Sequence, residues 1–321
     1  MNGDFNTAAT PVSEAEEFLR REEILYDKTP DGDLVVGDLN LSNKGLTRLP
    51  DLSRVVVRGF FSCDNNALTS LEGAPSSVEG EVFCHSNKLT SLKGLPDSIG
   101  GGIYANYNKL TSLEGAPIEV RGNFDCSNNL LVTLAGAPLD IAGNFSCDNN
   151  ALTALHGGPS LVSGNYFCGN NALETLAGAP SGIGGTFFCN KAGLISLEGA
   201  PVIVGGDFFC GDNPLKSLAG APRTVGEIFD CSGCGLTHLD GAPAQVGAEF
   251  FCENNALVSL EGAPQYCRML HTDFGDFEYW INVPEELKFD SARAAAREKE
   301  AQSATILASA LSVRKPLTLR R

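Results

Sequence analysis

The stretch "FFCGDNPLKSLAGAP" at residues 208–222 returns, with small changes, every 21 residues along most of the chain, and that period constrains the fold more than any other feature. Cys63, Cys84, Cys126, Cys147, Cys168, Cys189, Cys210, Cys231 and Cys252 share one 21-residue grid, with Ala105 in its gap, and account for nine of the eleven cysteines. Five residues after each grid position stands a Leu, from Leu68 to Leu257, and eight after stands another, from Leu71 to Leu260. Neither column is broken. Twelve after comes Pro, from Pro75 to Pro264, and fifteen after comes Val or Ile, from Val78 to Val246. Three after the grid come Asn66, Asn87, Asn108, Asn129, Asn150, Asn171, Asn213 and Asn255, interrupted by Ala192 and Cys234. A first unit, "LNLSNKGLTRL", fits one residue out of step, with Leu41 in the grid place.

One such unit cannot bury its apolar face alone, so the period predicts coils stacked into a solenoid in which each contacts only its neighbours. Alternation along a short strand sends the apolar residue two before the Cys, and the Cys itself, inward, and the residue between them outward. The Asn amide suits the turn, where it can satisfy backbone groups of its own coil and the next. Pro followed by a β-branched residue suits a second extended leg, which leaves little room for helix.

Written out, the unit is φ-x-C-x-x-N-x-L-x-x-L. It resembles the leucine-rich-repeat consensus, with Cys in place of the second strand Leu, over about eleven units from 37 to 264. With Gly-Ala-Pro on its return leg, it is similar to the compact repeats of bacterial effectors such as the IpaH and internalin families. It is more closely similar to proteins of bacterial viruses that carry "NFxCSNNxLTSLxGAP". The resemblance implies a leucine-rich-repeat solenoid with a parallel sheet on its concave side. It further implies a binding role, with a host or defence protein in the host cytoplasm as the partner to be inhibited or recruited.

The outward column is the functional question. In order it reads Ser62, Phe83, Tyr104, Asp125, Ser146, Phe167, Phe188, Phe209, Asp230 and Phe251, six of the ten being aromatic. A solvated sheet face normally carries charge and hydroxyls, so this column predicts an exposed apolar stripe of the kind that binds a protein. The column one after the Cys gives it a polar, mildly acidic border: Asp64, His85, Asn106, Ser127, Asp148, Asn190, Ser232 and Glu253. The expected partner-binding residues are therefore Phe83, Tyr104, Asp125, Phe167, Phe188, Phe209, Asp230 and Phe251. Two other readings stay open: the rings stabilise the sheet by cross-strand contact, or the chain's own tail covers them.

Residues 1–36 read as an N-terminal cap. Ser13 and Glu16 form a capping box opening a helix whose Phe18, Leu19 and Leu25 face the first coil, and "LVV" follows as a strand. Residues 265–321 read as a C-terminal cap, with Trp280 and its aromatic neighbours sealing the last coil and an Ala-rich helix in "SARAAAREKEAQSATILASALSVRK". That helix offers Ile306, Leu307, Ala310 and Leu311 as an apolar strip, so the alternative function is a structural protein that oligomerises through it.

A formal net charge of -16 argues against nucleic-acid and anionic-membrane partners and favours a basic protein. No signal peptide or membrane-length apolar run is evident, so a soluble cytoplasmic protein is expected. Catalysis, metals and cofactors are not expected. The four histidines (His85, His156, His238, His271) fall in different repeat positions, "IGGG" at 99–102 is a repeat junction, and "DFG" at 273–275 lacks a kinase context. The similar effectors attach a ubiquitin ligase domain with a nucleophilic Cys, whereas only 57 residues follow Pro264 here. Cys231-x-x-Cys234 combines the grid and Asn columns rather than forming a zinc half-site, and Cys267, beside Tyr266 and Arg268, reads as a cysteine outside every column.

Overall fold

A computed structural model describes residues 13–289. They form a leucine-rich-repeat-type β-solenoid with little helix. Each coil contributes one short strand to a long sheet, turns at the Asn, crosses through Leu-x-x-Leu, and returns through a second short strand on the opposite side. The long sheet has 13 strands, mostly of two residues, running from Leu39–Asn40 to Gly275–Glu278. All pair parallel at a constant register, as in Phe187↔Phe208 and Phe208↔Phe229, until the antiparallel last strand. The return legs form sheets of five, three and four strands.

The inward columns make one continuous core. Phe124, Phe145, Tyr166, Phe187, Phe208, Phe229 and Phe250 are fully buried and pack ring on ring, with centroids 4.9 to 6.1 Å apart. Burying a ring of this size contributes on the order of 2–3 kcal/mol, repeated in every coil. The grid cysteines lie behind them as buried free thiols. From Cys126 to Cys252, each thiol donates to the carbonyl of the outward residue on the next strand, as Cys189 Sγ does to Phe209 O at 3.2 Å. Cys in the strand is thus both small and a donor. Burial pushes the thiols up, Cys84 to about 12, which makes them inert.

The Asn column forms the expected ladder. Asn213 Nδ2 donates to Cys189 O and Cys210 O at 2.9 Å, and its Oδ1 accepts from Ala192 N and Leu194 N. Cys234 substitutes within the ladder by donating its thiol to Cys210 O at 3.3 Å. The residue before the ladder position has positive φ in every coil, for example 55° at Asn128 and Asp212, which explains the recurrent Asn-Asn pairs. On the return leg Gly220 holds φ +91°, and a Cβ there would lie 2.8 Å from backbone of the preceding coil. A second glycine column, unread in the sequence, follows the return strand: at Gly226 a Cβ would fall 1.9 Å from Gly205 O.

At the front, the helix α1 (Glu14–Arg21) begins as expected, with Ser13 Oγ accepting from Glu16 N, and it buries Phe18 and Leu19. Two details differ from expectation. Leu25 is 91% exposed, because the chain has already left the helix and turned toward the strand Tyr26–Lys28. Glu16 does not reach back to the helix start: its carboxylate accepts from Arg20, Tyr26 and Lys28, and the Lys28 hydrogen bond leads in holding it below the usual carboxylate range. "LVV" is the strand Leu34–Val36, which pairs with Val55–Val57 and so is the first return leg.

At the back, the 21-residue period ends at Pro264 but the parallel sheet gains one more strand, Met269–Thr272, offset by 20 residues. Cys267 is not outside the columns. Tyr266 bridges Gln245, so Cys267 takes the Val/Ile place beside Val246 and is buried there. Trp280, Phe277 and Leu287 pack half-buried on the core, while Tyr279 is exposed. The short helix α2 (Glu285–Lys288) follows, and the Ala-rich segment lies outside the described residues.

Candidate protein-binding face

The outer face of the long sheet presents three columns, because strand alternation turns out the residues three before, one before and one after each grid position. In the middle column the rings do stack across strands. Phe83 lies on Tyr104 at 4.9 Å, Phe167 on Phe188 at 4.6 Å, and Phe188 on Phe209 at 5.0 Å, with planes within 17°. Each ring shields one face of its neighbour and keeps an outer edge in solvent, so all six aromatics are half-buried. Asp125, Ser146 and Asp230 are half-buried too, whereas Ser62 is buried and bonds to Asp64.

The stripe is therefore broken into runs: Phe83–Tyr104, then Phe167–Phe188–Phe209, then Phe251. His271 extends the last run, stacking on Phe251 at 4.2 Å, with its Nδ1 3.1 Å from Asp276. Sequence reasoning missed His271 because the period shortens by one residue there. The signal that could have found it is "LHT" at 270–272, an apolar–outward–small triplet like Phe250-Phe251-Cys252.

The column three before the grid was also missed, and it is a second ladder. Asn123 Oδ1 accepts from Asn144 N, Asn144 Oδ1 from Asn165 N and Asn165 Oδ1 from Thr186 N, each at 2.8 Å, and Asp207 Oδ1 accepts from Ile228 N. It fixes the spacing of the rings beside it. The column after the grid holds Gly169 and Gly211 among its polar residues. Across the three columns from Phe60 to Glu253 stand eight carboxylates (Asp64, Glu81, Asp125, Asp148, Asp207, Asp230, Glu249, Glu253) and no Lys or Arg.

Two adjoining hollows of about 300 Å³ open on this face. One lies between Tyr104 and Phe167, over Asp125 and Ser146; the other lies beside Phe167, Phe188 and Phe209, over Gly169. Asp148 and Phe167 line both. Burial raises Asp148 to about 6, against hydrogen bonds from Gly169 N at 2.7 Å and Ser146 Oγ, and the charge of Asp125 adds to the rise. Asn190 Oδ1, in the second hollow, is buried without a hydrogen-bond partner. A hollow of about 370 Å³ at the front of the molecule is the seam between α1 and the first coil.

No helix among the described residues is long and apolar enough to cross a membrane, and no group of three metal-ligating side chains is assembled among them. No protein-family model matches the chain, and no curated protein matches it. Among solved structures the chain is similar to YopM from Yersinia enterocolitica WA-314. The two are 18% identical, over 84% of this chain and 75% of that one, with a TM-score of 0.37. The fold assignment rests on the coils, ladders and sheets described above, and not on this likeness.

Proposed function

We propose that the protein is a non-catalytic interaction module that docks a basic protein partner on the outer face of its long sheet and thereby inhibits or recruits it. The observation that carries this reading is the run Phe167–Phe188–Phe209: three stacked, half-exposed rings on consecutive strands, bordered by polar side chains in a face without lysine or arginine. Rigid aromatic rings with a polar rim are what interface hot spots are made of, and the pervasive negative charge steers a cationic partner toward them. Phe83, Tyr104 and Phe251 extend the contact along the solenoid, and Asp125 and Asp230 give it register.

The test compares the wild-type protein with a Phe167→Ser, Phe188→Ser, Phe209→Ser variant as bait in host extract, after circular dichroism has shown the variant folded. Capture of a partner that the variant loses, with at least a 100-fold weaker Kd for the purified pair, is expected. Equal capture by both would assign the rings to sheet stability alone. A discrete oligomer whose rings are hidden from an apolar dye would favour the assembly reading instead.

A further inference from the structure

We propose that the hollow between Tyr104 and Phe167 is an anchoring socket for an arginine side chain projected by a basic segment of the partner. The inference rests on the docking reading above and specifies its chemistry.

The stripe lapses on two consecutive strands, where Asp125 and Ser146 replace rings. At a strand spacing of ~4.8 Å the aromatic positions on either side are then separated by roughly 14 Å of backbone. The gap becomes a hollow of about 300 Å³ with an aromatic wall at each end and two carboxylates, Asp125 and Asp148, in its lining. Each carboxylate is positioned by the backbone through one oxygen: Asp125 Oδ1 accepts from Ser127 N at 3.0 Å, and Asp148 Oδ1 from Gly169 N at 2.7 Å. The second oxygens are left for other donors. Asp148 Oδ2 has only Ser146 Oγ at 3.4 Å, the limit of hydrogen-bonding distance.

Two partly desolvated carboxylates that repel one another, with no cation among the three columns of the face, are an arrangement that a positive ligand relieves. The orphaned acceptor Asn190 Oδ1, across Phe167 in the adjoining hollow, points independently to a ligand that brings donors. Arginine meets every requirement at once. Its guanidinium is planar and stacks on rings, carries five N–H donors in a fork that fits carboxylates, and loses hydration more readily than an ammonium group.

The experiment titrates the isotope-labelled full chain with N-acetyl-arginine amide and follows its NMR spectrum. Saturable shifts at Asp125, Ser146, Asp148 and Phe167 are expected. The uncharged isostere N-acetyl-citrulline amide should bind at least ten-fold more weakly, and a D125N/D148N variant should lose arginine binding to the same extent. Both substitutions keep the Oδ1 acceptor, so an otherwise unchanged spectrum verifies the fold. Binding should weaken from pH 7 to pH 5, as Asp148 takes up its proton.

Equal affinity for the citrulline or a leucine analogue would overturn the proposal, as would shifts that never saturate. Shifts driven by protein concentration alone would give the hollow to a second copy of the chain. A Phe188→Ser, Phe209→Ser variant, which leaves the socket intact, separates the two claims. If it loses the partner while arginine amide gives no saturable shift in the wild type, the docking face stands and the socket fails. If it keeps the partner while wild-type chain binds arginine amide, the ring run fails and the socket stands.

Discussion

Phe208 and Phe209 are adjacent in the chain, recur at the same spacing and stack on like neighbours 5.0 to 5.5 Å away, yet they belong to different parts of the molecule. Phe208 is fully buried in a column whose every member is a large apolar residue, because each coil needs that volume filled. Phe209 stands in a column that holds Phe, Tyr, Asp or Ser, because no coil requires an aromatic there. A regular column reports the fold. The irregular column beside it, free to vary without unstacking the coils, is where the molecule can differ from a generic solenoid.

The largest expected effect separates the two phenylalanines. Phe208→Ala should cost about 3–5 kcal/mol, since it opens a cavity between packed rings, whereas Phe209→Ala should cost about 1 kcal/mol or less. Urea unfolding followed by circular dichroism measures both, and equal losses would erase the distinction between the columns. The same contrast applies to asparagine. Asn213→Ala strands buried backbone groups in three segments and should cost about 3 kcal/mol, while Asn190→Ala on the outer face, whose Oδ1 has no partner, should change stability by no more than about 0.5 kcal/mol.

A smaller effect runs the other way and depends on pH. Asp148 is held near 6 in the folded chain against an ordinary value of 3.8, so its contribution to stability is complete below about pH 3.8 and is lost as pH rises through about 6. Asp148→Asn should therefore raise the melting temperature by about 2 °C or more at pH 8 and leave it unchanged at pH 3.5. An equal gain at both pH values would show that the carboxylate's charge is not what strains the face. The smallest change is in the inner column: Tyr166 carries a hydroxyl, fully buried and without a partner, among phenylalanines. Tyr166→Phe should stabilise by up to about 1 kcal/mol, and a loss of stability would mean that the hydroxyl has a role in the core.

Most of the fold was legible because a solenoid writes each contact into the sequence once per coil. The Asn and Leu columns, the inward Cys and the second extended leg all follow from a period visible by eye. What escaped lies where the period says nothing. Cys267 takes a Val/Ile place and His271 an aromatic one, both after the last consensus Pro, where the offset changes by a residue. Leu25 and Glu16 lie before the first coil, and there the turn into a hairpin overrides the helical pattern. On the outer face the rings were readable as a column, but the hollows were not, since they arise from small residues in two columns at once: Asp125 and Ser146 in one, Gly169 and Gly211 in the other.

The hairpins at the two ends have a consequence for the molecule as an object. At the front, Tyr26–Lys28 lies antiparallel on the first return strand; at the back, Gly275–Glu278 lies antiparallel on the last strand of the long sheet. Between them every coil is a template for another like it, as each layer of a growing crystal is for the next. A reversed strand offers an incoming coil the wrong polarity, so both surfaces are poisoned against further layers, each on a different side. The chain has the internal order of a fibre and the fixed length of a single particle.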